Sequence, residues 1–323
     1  MRLSFFGAYD PGYPRNVVIK KGLRLNGVEV LDCGLWPNRK FWMRYPLLFY
    51  RYIRSCSKRS FIFVPEFCQK DVPLAKFLSL LTSRKIIFDP LAPRYETKIT
   101  DWKRKPPDSW QARWNFTIDS WAFELSDLIL ADTRAHKEYY CEKYGLSPDK
   151  VEVLPVGYDD ELYRPVSATN KEDRFTVLFY GSFLPLHGVD AVVEAAKIVS
   201  KEDASIDFVL IGSGQTLPRV RALAAELNLS NIRFESWLPQ SELPQRIAAA
   251  DICLGIFGRT EKAGRVVPHK IYQSMGMKKA IITAQTPAVE EFFSHRENIF
   301  LVPEPYPENL AQAVLKLKRD KNL

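Results

Sequence analysis

The stretch FTVLFYGSFLPLHGVDAVVEAAKIV, residues 175–199, decides the architecture. Residues 175–180 form a continuous apolar run of strand length, rich in aromatic and β-branched side chains, and read as a strand covered on both faces. Residues 181–188 read as a glycine-bearing loop. Residues 189–199 carry apolar side chains at helical spacing. Strand, loop and amphipathic helix open a βαβ unit. The alternation repeats downstream. Strands are predicted at 208–211, 232–234, 252–256 and 280–283. Helices are predicted at 217–227, 243–250, from 268 to 275, at 290–293 and at 309–317.

Upstream the same rhythm holds. Residues 2–6 read as a strand, 15–26 as a helix stopped at Asn26-Gly27, and 28–31 as the next strand. Further strands are predicted at 61–64, 85–88, 127–131 and 151–153, with a helix at 72–81. Residues 94–118 are polar, contain Pro106-Pro107, and predict a long loop. The polar stretch 165–173 marks a boundary, so the chain reads as an α/β protein of two Rossmann-like domains, 1–166 and 167–323.

Composition agrees with this. Of 323 residues, 46% are hydrophobic and 26% charged, enough apolar material to exclude intrinsic disorder. No run of about 18 apolar residues predicts a membrane span. Residues 1–6 lack the pattern of a secretory leader. Five cysteines without a Cys-x-x-Cys pair predict free thiols in a reducing compartment. The four histidines have no zinc spacing, and no metal site is predicted. His136 and His295 read as surface residues.

Charge is uneven. Residues 1–166 carry 27 Lys+Arg against 20 Asp+Glu, while 167–323 carry 19 against 18. The excess concentrates in residues 1–60, with 12 basic and 3 acidic side chains. Its densest part is 36–60, where Arg39, Lys40, Arg44, Arg51, Arg54, Lys58 and Arg59 alternate with aromatic residues. Interleaved rings and cations suit an anionic membrane surface. They also fit a plain helix with Leu47, Leu48, Tyr50 and Ile53 in the core, or a basic protein that binds single-stranded nucleic acid.

No Walker loop, dinucleotide fingerprint or Gly-x-Ser-x-Gly elbow occurs. Three strand ends stand out instead: Gly181–Asp190, Ile211–Gly214, and the loop 258–273. The last has Arg259, Lys262, Arg265 and Lys270 entering a helix. Cations beside helix N-terminal amides suit a diphosphate.

The segments FYGSFLPLHGVDAVVEAAKIV, VLIGSG, AAADICLGIF and PHKIYQSMGMKKAIIT together resemble the donor domain of glycosyltransferase family 4. GAYDPGYPRN and SDLILADT…VEVLPVGYDDELYRP fit its acceptor domain and interdomain segment. The resemblance implies the GT-B fold, two facing Rossmann-like domains, and a retaining, metal-independent glycosyltransferase without cofactor. A nucleotide sugar would bind Gly181, Ser182, His187, Gly212, Trp237, Leu238, Lys270 and Gln273. Gln273 stands where the family has a ribose-binding Glu, and Arg265 where it has another Glu. Ser182 and His187 replace the usual loop cation, which shifts phosphate binding to Lys262, Arg265 and Lys270. Lys262 and Arg265 are expected to act in catalysis, with Asp89 at the acceptor hydroxyl or as a turn cap. Gly7, Gly12, Arg15 and Asn16 would meet a lipid-linked or saccharide acceptor. The expected setting is polysaccharide or glycolipid assembly on the cytoplasmic face of a membrane, with no nucleic-acid partner. A nucleotide-sugar epimerase or hydrolase of the same fold is the alternative enzyme. By this resemblance, domain 167–323 is expected to lack the family's C-terminal crossover helix.

Overall fold

A computed structural model describes residues 1–37, 41–55, 60–169 and 173–320. The chain divides into two compact units, Met1–Val156 and Gly157–Leu323. The division precedes the polar stretch 165–173 because Tyr158, Leu162 and Tyr163 pack against Leu178 and Tyr180 of the second unit.

The first unit runs β1 (Arg2–Phe5), α1 (Pro14–Leu25), β2 (Glu29–Asp32), α2 (Phe41–Ser55), β3 (Phe61–Val64), α3 (Val72–Thr82), β4 (Ile86–Phe88), α4 (Trp110–Leu125), β5 (Leu128–Ala131), α5 (Arg134–Tyr144) and β6 (Val151–Val153). Its strands form a parallel sheet in the order β2-β1-β3-β4-β5-β6. Phe5, Phe63, Val64, Phe88 and Ile129 lie in its core. Their alternation is weak because helices cover the sheet.

Two expectations in this unit are corrected. Residues 94–118 are not one loop: Glu96–Asp101 winds into a π-helical turn, and α4 starts at Trp110. Ser109 caps α4 by accepting the Ala112 amide at 3.2 Å, and Ala112, Ile118 and Ala122 bury an apolar face. Buried Asn115 and Asp119 and the exposed tryptophans hid that pattern. In α2, the core side chains are Leu48 and Tyr52, while Tyr50 and Ile53 are exposed. Arg39, Lys40, Cys56, Lys58 and Arg59 lie outside the described residues.

The second unit runs β7 (Phe175–Ser182), α6 (Val189–Glu202), β8 (Ile206–Ser213), α7 (Leu217–Glu226), β9 (Ile232–Glu235), α8 (Leu243–Ala249), β10 (Ile252–Leu254), α9 (His269–Gly276), β11 (Ala280–Ala284), α10 (Pro287–Glu290), β12 (Phe300–Val302) and α11 (Pro307–Arg319). The sheet is parallel, ordered β12-β11-β10-β7-β8-β9. β7 pairs with β8 as far as Ser182 and Ser213, so Gly181 and Ser182 belong to the strand rather than the loop. The three-residue β12 was too short to read from pattern. The short helix begins at Pro287 rather than Glu290, because Thr286 accepts the Val289 amide at 3.3 Å. No described helix is long and apolar enough to cross a membrane.

Candidate functional site

Each unit gathers polar side chains at the carboxyl ends of its parallel strands, where open α/β sheets bind ligands. In the second unit, β7 leads into a 3-10 turn, Pro185–His187, and then α6. Gly188 makes this turn in the left-handed region at φ 58°. A Cβ there would lie 2.4 Å from the Phe257 carbonyl carbon, so the chain accepts only glycine. The closeness is functional in consequence. Phe257 and Gly258 donate to the carbonyls of His187 and Leu186 at 3.0 and 3.1 Å, which holds the start of the 258–268 loop against this turn. Leu186, Ile256, Ala263 and Val266 seal the contact.

Lys270 is the centre of this arrangement. It sits in the first turn of α9 and is buried. Its Nζ has no hydrogen-bond partner among the described residues and lies 3.7 Å from the centroid of the Phe179 ring. A Cβ added to Gly181 would come within 3.3 Å of that Nζ, so the ammonium stands directly over the glycine. Burial drives its pKa well below the usual lysine value. His187 is also buried, and its Nδ1–H donates to the Ser182 carbonyl. Burial, then Lys270 and Lys262, push the His187 pKa well down, so the ring is neutral and Nε2 keeps a lone pair. Lys262 is buried beside them. The site thus holds two buried amines next to a helix N-terminus, a field that favours an anion.

The other residues expected here divide. Arg265 is paired with exposed Glu261 at 2.7 Å. Gln273 is buried in α9. Gly212 pairs with Gly181 across β7 and β8. Trp237 stands exposed beyond β9. Leu238 packs on the cluster of Tyr180 and Leu243, whereas Phe179 under Lys270 belongs to the opposite face of the strand.

In the first unit the loop after β1 and the start of α1 meet the ends of β3 and β4. Arg15 Nε donates to Asp89 Oδ2 at 2.5 Å, with both side chains fully buried, and Nη1 donates to the Leu154 carbonyl at 3.1 Å. Asp89 and Arg15 therefore face each other, an arrangement the sequence reading had split between a hydroxyl-binding acid and a ligand-binding cation. Asp89 also accepts the Leu91 amide at 3.3 Å, so the expected turn cap is present. Asn16 donates to Glu66 Oε1 at 2.7 Å and to the Asp10 carbonyl at 2.8 Å. Gly7 lies against Cys68 and Asp71, and exposed Gly12 donates to Asp10 at 2.8 Å.

Two groups here escaped the sequence reading. Glu66 is buried, and burial followed by the Asp89 charge raises its carboxyl to about 9. Its Oε2 has no hydrogen-bond partner among the described residues. His136 is fully buried rather than at the surface. Its Nδ1 meets Asp132 at 2.6 Å and its Nε2 meets Glu96 at 3.0 Å. Burial opposes its charge, but the two carboxylates outweigh that and raise its pKa to about 9. Only the pairing of residues 40 apart reveals it; the local spacing of His136 carries no signal.

Residues 174–320 match the family model described as glycosyl transferases group 1. D-inositol 3-phosphate glycosyltransferase of Thermomonospora curvata is 29% identical over 150 residues, 39% of this chain and 35% of that protein. Mannosylfructose-phosphate synthase of Agrobacterium fabrum is 23% identical over 150 residues, 40% of this chain and 32% of its own. These matches span about a third of the curated relatives. Among solved structures, Anabaena HepE in complex with UDP and glucose has a TM-score of 0.71 at 16% identity, over 99% of this chain and 90% of that one. Sucrose-phosphate synthase from Thermosynechococcus elongatus has a TM-score of 0.74 at 15% identity, with the same coverage of both chains. The two α/β units have the fold of GT-B glycosyltransferases.

Proposed function

We propose that this chain, whose second unit is a glycosyl transferases group 1 domain, is a retaining glycosyltransferase that moves a sugar from a nucleoside diphosphate to an acceptor hydroxyl. The observation that carries this reading is the Lys270 amine, buried over Gly181 with no hydrogen-bond partner among the described residues. Burial disfavours the charged form of this amine, and a diphosphate supplies the counter-charge that makes the ammonium favourable. Lys262 adds a second cation, and Arg265 joins once it leaves Glu261. As the bond to the sugar breaks, negative charge develops on the leaving diphosphate. Preorganised donors stabilise that charge, and losing one typically costs about 3 kcal/mol. The nucleotide sugar is substrate, and no cofactor enters the proposal. The UDP bound in Anabaena HepE supports a nucleoside diphosphate here as well.

The acceptor belongs in this reading at the carboxyl edge of the first unit, where Asn16, Glu66 and the Arg15–Asp89 pair lie. Gly7 and Gly12 shape the loop beside it. A lipid-linked or saccharide acceptor at the cytoplasmic face of a membrane fits the exposed aromatic side chains of this unit, Phe49 and Tyr50 on α2 and Trp110, Trp114 and Trp121 on α4.

Thermal unfolding with UDP, GDP, ADP, CDP and dTDP tests the donor reading. A ligand at about 100 times its Kd adds roughly 2.7 kcal/mol of stability. A shift by one of them is expected. No shift by any of the five overturns the proposal.

A further inference from the structure

The first unit brings five cations together on the carboxyl side of its sheet. Arg44 of α2 is bound to Asp71, whose side chain is fully buried. Lys70 precedes Asp71 in a 3-10 turn, Gln69–Asp71, and the Tyr45 hydroxyl donates to its carbonyl. Gln69 Nε2 donates to the Ala92 carbonyl at 3.1 Å, which seats this turn against the segment that carries Arg94. Lys98 follows Arg94 by four residues, about one turn of helix, inside the π-helical turn Glu96–Asp101. The Arg104 amide donates to the Lys98 carbonyl at 3.0 Å and closes the group.

Two carboxylates nearby, Asp71 and Asp119, are already engaged. Asp71 already holds Arg44 and the Ala8 amide. Asp119 accepts the amides of Arg94 and Tyr95 at 3.0 and 2.7 Å, and burial raises it to about 7, so part of its charge is lost at neutral pH. The Nε atoms of Arg44 and Arg94 are buried without a hydrogen-bond partner among the described residues. Lys70, Arg94 and Lys98 are half-buried. Burial first, and then the neighbouring cations, lower the pKa of each of these three. Like charges gathered on half-buried side chains are stabilised by an anion that takes several N–H donors at once.

We propose that Lys70, Arg94, Lys98 and Arg104, with Arg44 beside them, bind a phosphate or diphosphate group carried by the acceptor. The inference rests on the glycosyltransferase reading only for the word acceptor; the anion site stands on its own residues. Guanidinium groups fit a phosphate with paired N–H donors, and the lysines add point charge. The group belongs either to a lipid headgroup or to a soluble phosphorylated sugar.

Calorimetric binding of inorganic pyrophosphate to the full chain tests this. The Lys270→Met background removes the amine at the centre of the site in the second unit. Pyrophosphate binding is expected to persist there, and to weaken at least tenfold when Lys98→Gln and Arg104→Gln are added. Unchanged affinity overturns the site. Arg104 is exposed, so Arg104→Glu alone leaves the fold intact; it is expected to weaken binding at least fivefold, and no change again overturns the proposal. Vesicles of phosphatidylcholine with phosphatidic acid separate the sources. Loss of vesicle binding in Arg104→Glu supports a lipid phosphate, and loss of pyrophosphate alone supports a soluble one. If none of the five nucleotides binds while pyrophosphate still does through Lys98 and Arg104, the donor reading fails and this site stands. The reverse pattern removes this site and leaves the donor reading.

Discussion

Arg15 Nε and Asp89 Oδ2 lie 2.5 Å apart with neither side chain exposed, which ties the first turn of α1 to the end of β4. Removing one partner of such a pair leaves an uncompensated buried charge and typically costs about 3–5 kcal/mol. Arg15→Met and Asp89→Asn are each expected to lose that much in denaturant unfolding. The double variant Arg15→Met/Asp89→Leu is expected to recover part of it. Full stability in either single variant refutes the structural role.

Lys270 makes the opposite prediction. Its ammonium is buried against Phe179 rather than against a carboxylate. Lys270→Met removes a buried amine that has no hydrogen-bond partner among the described residues while keeping most of the volume, so the ligand-free protein is expected to keep or gain stability. The same variant is expected to weaken binding of the preferred nucleoside diphosphate at least tenfold. Lys262→Ala and Arg265→Ala are each expected to lower turnover at least tenfold. Wild-type turnover in both would remove them from the diphosphate site.

The contributions of His136 and Glu66 to stability are expected to fall as pH rises from about 6 to 9. His136 has a folded pKa of about 9 against 6.5 ordinarily. Its contribution is full below 6.5 and is lost as pH rises through 9. Glu66 is raised from 4.5 to about 9. The unfolded chain releases the Glu66 proton first, so folding becomes less favourable between those values. In both cases the folded state binds more protons, and the slope has one sign. His136→Gln and Glu66→Gln should each flatten the dependence of unfolding free energy on pH. Glu66→Gln should also stabilise the protein at pH 8. An unchanged slope in both variants contradicts these assignments.

Membrane attachment is expected to depend on α2 and α4. Trp110, Trp114 and Trp121 recur at helical spacing and are exposed, and the rings of Trp114 and Trp121 are 5.9 Å apart. Arg54 on α2 is exposed beside Tyr50 and donates to its hydroxyl at 2.8 Å. Combining Trp110→Ser, Trp114→Ser and Arg54→Ser should reduce partition onto anionic vesicles at least fivefold. Unchanged partition argues against this surface.

The alternation of strands and helices was legible because each element carries its own period. Residues 175–199 show it plainly: an apolar run with no gap, glycines at the turn, then a helical stripe. The cations of the 258–273 loop are visible in the sequence as well, because residue type and spacing are read from it directly. α4 was missed because the stripe of Ala112, Ile118 and Ala122 is interrupted by buried Asn115 and Asp119 and opposed by exposed tryptophans. Its apolar face could be identified only once α3 and α5 were in place around it.

What the sequence alone determined was therefore local: two runs of βα units, the glycine positions, and the residue types at each strand end. Tertiary structure decided which charges meet. Arg15 finds Asp89 across 74 residues, His136 finds Glu96 across 40, and Gly181 finds Lys270, which lies on another element. Burial and Coulomb energy depend on distance in space, and neither periodicity nor spacing along the chain records it. The same side chain can thus read as a ligand contact in sequence and stand as half of an internal ion pair in the fold, as Arg15 does.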